Sequence, residues 1–163
     1  MRLSLPETID VVAFRAARVD DIDGLVSLFQ HFFAESTLPS LRLRFDPARM
    51  RAWLENAIGT GRVPHIVALD SESGQVVGSI AYTLNHQYTD RPMAELDKFY
   101  VLREWRGSAI GHTLLSLAIQ TAQGDGAAAF RAGISSGING GQNLFAKFGF
   151  HETPHSILLV KEL

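Results

Sequence analysis

Val101-Leu-Arg-Glu-Trp-Arg-Gly-Ser-Ala-Ile-Gly-His-Thr-Leu-Leu115 is the stretch on which the reading of this chain turns. A β-like run, Glu95-Leu-Asp-Lys-Phe-Tyr-Val101, leads into it. Arg106 and the small residues up to Gly111 follow. An apolar helical pattern then begins, carrying Ile110, Leu114, Leu115, Leu117 and Ala118. Strand, small-residue turn, helix is how a chain aims several backbone N–H groups at a phosphate. Such a turn implies a phosphate-bearing ligand, and a phosphate-bearing cofactor implies an enzyme.

Working outward, residues 11–15 read as a strand. Asp20 or Asp21 then caps a helix whose apolar residues are Ile22, Leu25, Val26, Leu28, Phe29, Phe32 and Phe33. Residues 36–40, with Pro39, break it. Asp46-Pro47 is a cap followed by a first helical residue, and this second helix stops near Gly59-Thr-Gly61. Residues 65–70 and 76–84 read as a hairpin around a turn at 71–74. A loop over 87–92 leads to a strand over 93–101 and a helix over about 109–122. The pattern predicts a strand over 127–134, a Gly/Ser loop over 135–141, a short helix over 141–147 and a last strand over 156–161. The order β-α-α-β-β-β-α-β-α-β predicts one mixed α/β domain, with helices on both faces of its sheet.

Composition is compatible with that. The chain has 163 residues, of which 46% are hydrophobic, within the range of one globular domain. Residues 1–10, with Pro6, read as a loose lead-in, and 1–163 as a single domain. Fifteen basic against seventeen acidic residues give a net charge of -2, so no basic excess argues for nucleic acid. There is no cysteine, which removes disulfides, thiolate metal sites and a cysteine nucleophile. The six histidines show no metal-ligand spacing, and no metal is expected. The first residues lack a long apolar run and no window approaches a membrane span, so the expectation is a cytoplasmic protein away from membranes.

Three quoted segments carry a family resemblance. Arg106-x-x-Ala109-x-Gly111 resembles the Arg/Gln-x-x-Gly-x-Gly/Ala signature of the GCN5-related N-acetyltransferase (GNAT) superfamily. Asn143-Leu-Phe-Ala-Lys-Phe-Gly-Phe150 is similar to the ending "helix, then Lys-x-Gly-Phe" of these enzymes. Phe14-Arg-Ala-Ala-Arg-Val-Asp-Asp-Ile-Asp-Gly-Leu25 looks like their first strand and acid-capped helix. The resemblance spans roughly residues 11 to 162. It implies a mixed, mostly antiparallel sheet flanked by helices, and acetyl-CoA as co-substrate. The activity implied is acetyl transfer to an amine by direct attack. A homodimer is frequent in the family.

The resemblance also implies roles. The turn Arg106, Gly107, Ser108, Ala109, Ile110 and Gly111 would hold the pyrophosphate through backbone N–H groups, helped by the helix dipole. Ala109 stands where the family has a central glycine, and a methyl group fits there only in helical geometry. Phe99, Tyr100 and Val101 would line the thioester end, and a backbone N–H there would stabilise the oxyanion. That normally requires a β-bulge, which a sequence does not reveal.

An alkylammonium must lose a proton before it attacks, since its pKa is near ~10.4. Glu95 stands where histone-type members keep a catalytic glutamate. By strand alternation Asp97 shares its face, so either carboxylate is a candidate base. Many members protonate the departing thiolate with a tyrosine whose matching position here is Phe145, which has no proton to give. Tyr100, Tyr82, Ser135, a water or no acid at all remain as alternatives, with Tyr100 the first candidate. Asn139, or Asn143, would contact pantetheine, and Phe145 the cofactor. Phe32, Glu35, Glu95 and Asp97 are the candidate acceptor residues, with Glu35 among the acids that would draw a cationic amine. The acceptor is then a small-molecule or peptide amine. A CoA-binding sensor with weak or no catalysis is the alternative, supported by Ala109 and Phe145.

Overall fold

A computed structural model of the chain describes residues 11–86, 89–133 and 141–153. Among the described residues, five strands form one sheet in the order β1-β2-β3-β4-β5: Val12–Ala16, His65–Asp70, Val76–Asn85, Met93–Val101 and Ala129–Arg131. The first four are antiparallel neighbours, and β5 joins β4 in parallel. The helices are α1 at Ile22–Glu35, α2 at Pro47–Thr60, α3 at Ile110–Gly124 and α4 at Gly141–Lys147. The mixed, mostly antiparallel sheet between helices is the architecture expected.

Two facts about β4 show which helices cover which face. Tyr100 meets Phe32 and Glu35 of α1. Its neighbour Phe99 stacks edge-on against Phe145 of α4 and lies near Gly111 of α3. Alternate strand residues point to opposite faces, so α1 and α2 cover one side and α3 and α4 the other. β3 is the centre of the core: Val77, Ser79, Ile80, Ala81 and Tyr82 are fully buried, as covering on both faces demands. Gly78 lets α3 approach. A Cβ there would meet Leu114, Val101 and Ile110 at 3.2 to 3.4 Å.

The caps follow the sequence in part. Asp46 Oδ1 accepts from the Arg49 N–H at 3.0 Å, Pro47 opens α2, and Gly61 closes it at φ +64°. Asp21 occupies the residue before α1 but does not cap it. Its carboxylate instead accepts from both guanidinium nitrogens of Arg15, at 2.6 and 2.9 Å, and from the Arg18 N–H at 2.7 Å. An arginine on β1 thus competes successfully for the carboxylate that a helix end would otherwise use. The predicted strand over 127–134 is shorter, covering Ala129–Arg131, with its predicted end outside the described residues. The lead-in 1–10, Asn139, Ser135 and the last predicted strand also lie outside them. No described helix is long and apolar enough to cross a membrane.

Candidate active site

β4 carries one residue too many. Ala81 of β3 pairs with Lys98, while the next residue, Tyr82, pairs with Leu96, so Asp97 bulges out of the ladder. The bulge changes which side chains share a face. Thr83 pairs with Glu95, Ala81 with Lys98 and Ser79 with Tyr100. Since residues 79, 81 and 83 of β3 point the same way, Glu95, Lys98 and Tyr100 all face α1 and α2. Strict alternation would have put Glu95 opposite Tyr100. Asp97 joins that side, its carboxylate accepting from the Lys98 ammonium at 2.6 Å. The shared face expected for Glu95 and Asp97 is therefore the face of Tyr100, and the cause is the bulge.

β4 and β5 run in register only at Met93, Ala94 and Glu95, opposite Ala129, Phe130 and Arg131. From Leu96 to Val101, β4 has no strand partner on that edge among the described residues. The two strands part where Glu95 sits. Glu95 Oε1 accepts from Arg131 at 2.8 Å and from the Asn85 side-chain amide at 3.3 Å.

The turn follows directly from the open edge. Residues Arg103–Trp105 form one 3-10 turn, and Gly107 follows at φ +79°, a conformation that favours glycine. A Cβ on Gly107 would touch nothing within 4 Å, so what the turn requires is backbone freedom rather than space. The Ser108 hydroxyl donates to the Trp105 carbonyl and accepts from the Ile110 N–H at 3.4 Å. Ala109, at φ -71° and ψ -3°, already has helical geometry, which a methyl group accommodates. The first helical bond of α3 runs from the Thr113 N–H to the Ala109 carbonyl at 2.9 Å. The N–H groups of Gly107, Ser108, Ala109, Gly111 and His112 have no partner among the described residues. They are the donors available to an anion at the positive end of the helix dipole. Gly111 faces α4 and β4, where a Cβ would make ordinary van der Waals contact with Leu144 at 3.5 Å and Phe99 at 3.7 Å.

Arg106 does not project freely. Its Nε donates to the Val101 carbonyl at 2.9 Å, and one terminal nitrogen bonds Glu35 Oε2 at 2.7 Å. Its guanidinium carbon lies 5.0 Å from the centre of the Tyr100 ring. The Tyr100 hydroxyl donates to the other Glu35 oxygen at 3.0 Å. Partial burial pushes the Glu35 carboxyl up, but the hydrogen bonds from Arg106 and Tyr100 outweigh it, so its pKa lies below the ordinary value. Burial and the Glu35 charge push the Tyr100 phenol up to about 12.

Phe145 is 4% exposed and packs edge-on between Phe99 and Phe150. It is a core residue, and a cofactor would meet little of its surface. Tyr82, the other phenol considered, is fully buried and donates to Asp125 at 3.1 Å. The sequence reading missed Lys98 and Arg131, the cations paired with Asp97 and Glu95. Lys98 also lies 3.7 Å from the centre of the Trp53 ring. Register was the missing signal, because only the bulge brings Lys98, Asp97 and Glu95 to one side.

Comparison with known proteins agrees with this architecture. The family model described as "Acetyltransferase (GNAT) family" matches residues 25–150. No curated protein sequence matches the chain. Among solved structures, a possible acetyltransferase from Clostridium difficile 630 is 15% identical, with a TM-score of 0.75 over 94% of this chain and 99% of that one. The aminoglycoside N-acetyltransferase AAC(6')-Iy in complex with CoA is 15% identical, with a TM-score of 0.75 over 93% of this chain and 95% of that one. The ribosomal-protein-alanine N-acetyltransferase of Brucella melitensis biovar Abortus 2308 is 15% identical, with a TM-score of 0.73 over 93% and 99%. At such identities these likenesses speak for the fold.

Proposed function

Since the chain belongs to the GNAT acetyltransferase family, we propose that it moves an acetyl group from acetyl-CoA to a primary amine of a small molecule or peptide. The observation that carries the reading is the set of N–H groups of Gly107, Ser108, Ala109, Gly111 and His112 without a partner among the described residues, placed at the end of a strand edge open among those residues. Five main-chain donors and a helix dipole suit a diphosphate. The edge of β4 from Leu96 to Val101 would pair with the pantetheine amides, and the bulge at Asp97 frees a backbone N–H to polarise the thioester carbonyl.

The amine attacks the carbonyl carbon directly, as the family resemblance implies, and with no cysteine in the chain an acetyl-cysteine intermediate is excluded. A C–N bond forms, the C–S bond breaks, and the ammonium proton must go to a base. Glu95 takes that proton, itself or through a water. It lies where the strands part, on the side of the sheet covered by α1 and α2, and Arg131 and Asn85 hold its carboxylate in place. The proton of Tyr100 is already engaged by Glu35. With its pKa pushed up to about 12, transfer to a thiolate of ordinary pKa ~8.5 runs uphill. The thiolate therefore leaves without a proton from Tyr100.

Acceptors differ among similar folds, an aminoglycoside in one and a ribosomal protein in another by their names. This chain's acceptor is left as an amine of either kind. Thermal unfolding with acetyl-CoA, against dephospho-CoA and ATP, tests the reading. Acetyl-CoA at ~100 times its Kd should add ~2.7 kcal/mol, and Glu95→Gln should then cost ~10²–10⁴ in kcat on an amine found by screening. No shift at saturating acetyl-CoA overturns the reading. A shift with no turnover on any amine would favour the CoA-binding sensor, whose support is Phe145, a residue with no hydroxyl to donate a proton.

A further inference from the structure

Glu35, Tyr100 and Arg106 join three elements at one point: the last residue of α1, the penultimate residue of β4 and the turn before α3. We infer that Glu35 is a positioning residue for the acetyl-CoA site, acting through Arg106 to hold the phosphate turn rather than taking the acceptor's ammonium. The inference rests on the proposed acetyl-CoA binding.

The middle of the turn has little packing to hold it. Residues 106–108 are exposed, and nothing packs within 4 Å of the Cβ position of Gly107. The Ser108 bonds stay inside the turn itself. Trp105 and Ile110 pack on the core at the two ends of the turn, and of the exposed residues between them Arg106 reaches another element, its planar guanidinium fixed by the Val101 carbonyl, the Glu35 carboxylate and the Tyr100 ring. At the other end α1 is a firm anchor, with Leu25, Leu28 and Phe29 at most 1% exposed. Glu35 and Arg106 are themselves 32% and 34% exposed, so the pair adds little to global stability and its effect is local. One Glu35 oxygen takes the Tyr100 hydroxyl and the other takes Arg106, so both oxygens are engaged and offer little to an amine, whereas the bonds from Arg131 and Asn85 to Glu95 both fall on Oε1.

Calorimetric titration of the full chain with acetyl-CoA tests this, using Glu35→Gln, Arg106→Lys, Arg106→Gln and the double variant Glu35→Gln/Arg106→Gln. Glu35→Gln should bind acetyl-CoA about tenfold more weakly, while its ligand-free melting temperature stays within about 2 °C of wild type. Arg106→Lys keeps the charge but loses the fork, and should weaken binding as much as Glu35→Gln does. The double variant should be no weaker than Arg106→Gln alone, because both changes break one connection. If Arg106 is instead a direct phosphate ligand that Glu35 competes for, Glu35→Gln binds as well as or better than wild type, and Arg106→Lys stays near wild type. Either result overturns the inference, as does equal weakening by purely additive amounts. A wild type that ignores acetyl-CoA fails differently: it sinks the function reading first, and this inference with it.

Discussion

A methyl group on Gly24 would stand 2.6 Å from the Cγ2 of Val76, so α1 lies on β3 at the closest distance a glycine allows. That contact sets the height of α1 above the sheet and thus where its last residue, Glu35, arrives. Gly24→Ala must push the helix away or distort Val76, which is 6% exposed. The expected cost is about 1–3 kcal/mol, read as a melting temperature lower by several degrees. Val76→Ala should relieve part of that loss in the double variant, because it removes the opposing methyl groups. A Gly24→Ala protein that melts like wild type would mean that α1 sits further out than described.

Two substitutions in the turn separate backbone freedom from space. Gly107→Ala meets no neighbour but must hold φ +79° with a side chain, which costs about 1–2 kcal/mol. The turn is exposed and should relax rather than bear that strain, so acetyl-CoA affinity should fall about tenfold or more. Ala109→Gly changes a residue already helical at φ -71°, and affinity should stay within about twofold of wild type. Titration of both variants checks the pair. A large gain from Ala109→Gly would show that the methyl group does obstruct the phosphate.

Much of this fold could be read from the chain. The strands His65–Asp70 and Met93–Val101 and the helix Gly141–Lys147 have the bounds expected from period and punctuation. Asp46-Pro47 and Gly61 mark the ends of α2 because each acts on its own backbone. What escaped depends on relations between strands. Alternation alone gives Glu95 the wrong side relative to Tyr100, since the extra residue at Asp97 exists only in the register with β3. Asp21 escaped for a similar reason. Its place suggests a cap, but Arg15 lies within reach only after β1 and α1 have packed. Arg106 was legible as a basic residue in a phosphate turn, while its partner Glu35, 71 residues away in sequence, was not.

The Arg15–Asp21 pair gives the fold an acid-sensitive joint. Asp21 is buried, which opposes its charge, but the bonds from Arg15 and the Arg18 N–H outweigh burial and lower its pKa. A carboxylate held below its ordinary value of about 3.9 stabilises the fold above that pH and loses the stabilisation as pH falls through the lower, folded value. Unfolding should therefore steepen below about pH 4. Asp21→Asn should cost about 1–3 kcal/mol at neutral pH and flatten the acid limb. Melting curves between neutral pH and the acid transition check both, and an unchanged limb in the variant would assign acid sensitivity to other carboxylates.

Tyr100→Phe decides whether the phenol is a proton source or a structural hydroxyl. A general acid lost from the site would cost ~10²–10⁴ in kcat. The structural reading expects less than about a tenfold loss in kcat, well short of a lost acid, because the Tyr100 proton is held by Glu35 and its pKa is pushed up to about 12. The KM for acetyl-CoA should rise modestly instead, since Glu35 loses one of its two partners while Arg106 keeps the other. The pH–rate profile adds a second readout. If Tyr100 gave its proton to the thiolate, the alkaline limb of kcat would belong to it and vanish in the variant, whereas a structural hydroxyl leaves that limb where it was. A kcat loss above a hundredfold with acetyl-CoA binding intact would return Tyr100 to the catalytic machinery and require Glu35 to release it during turnover.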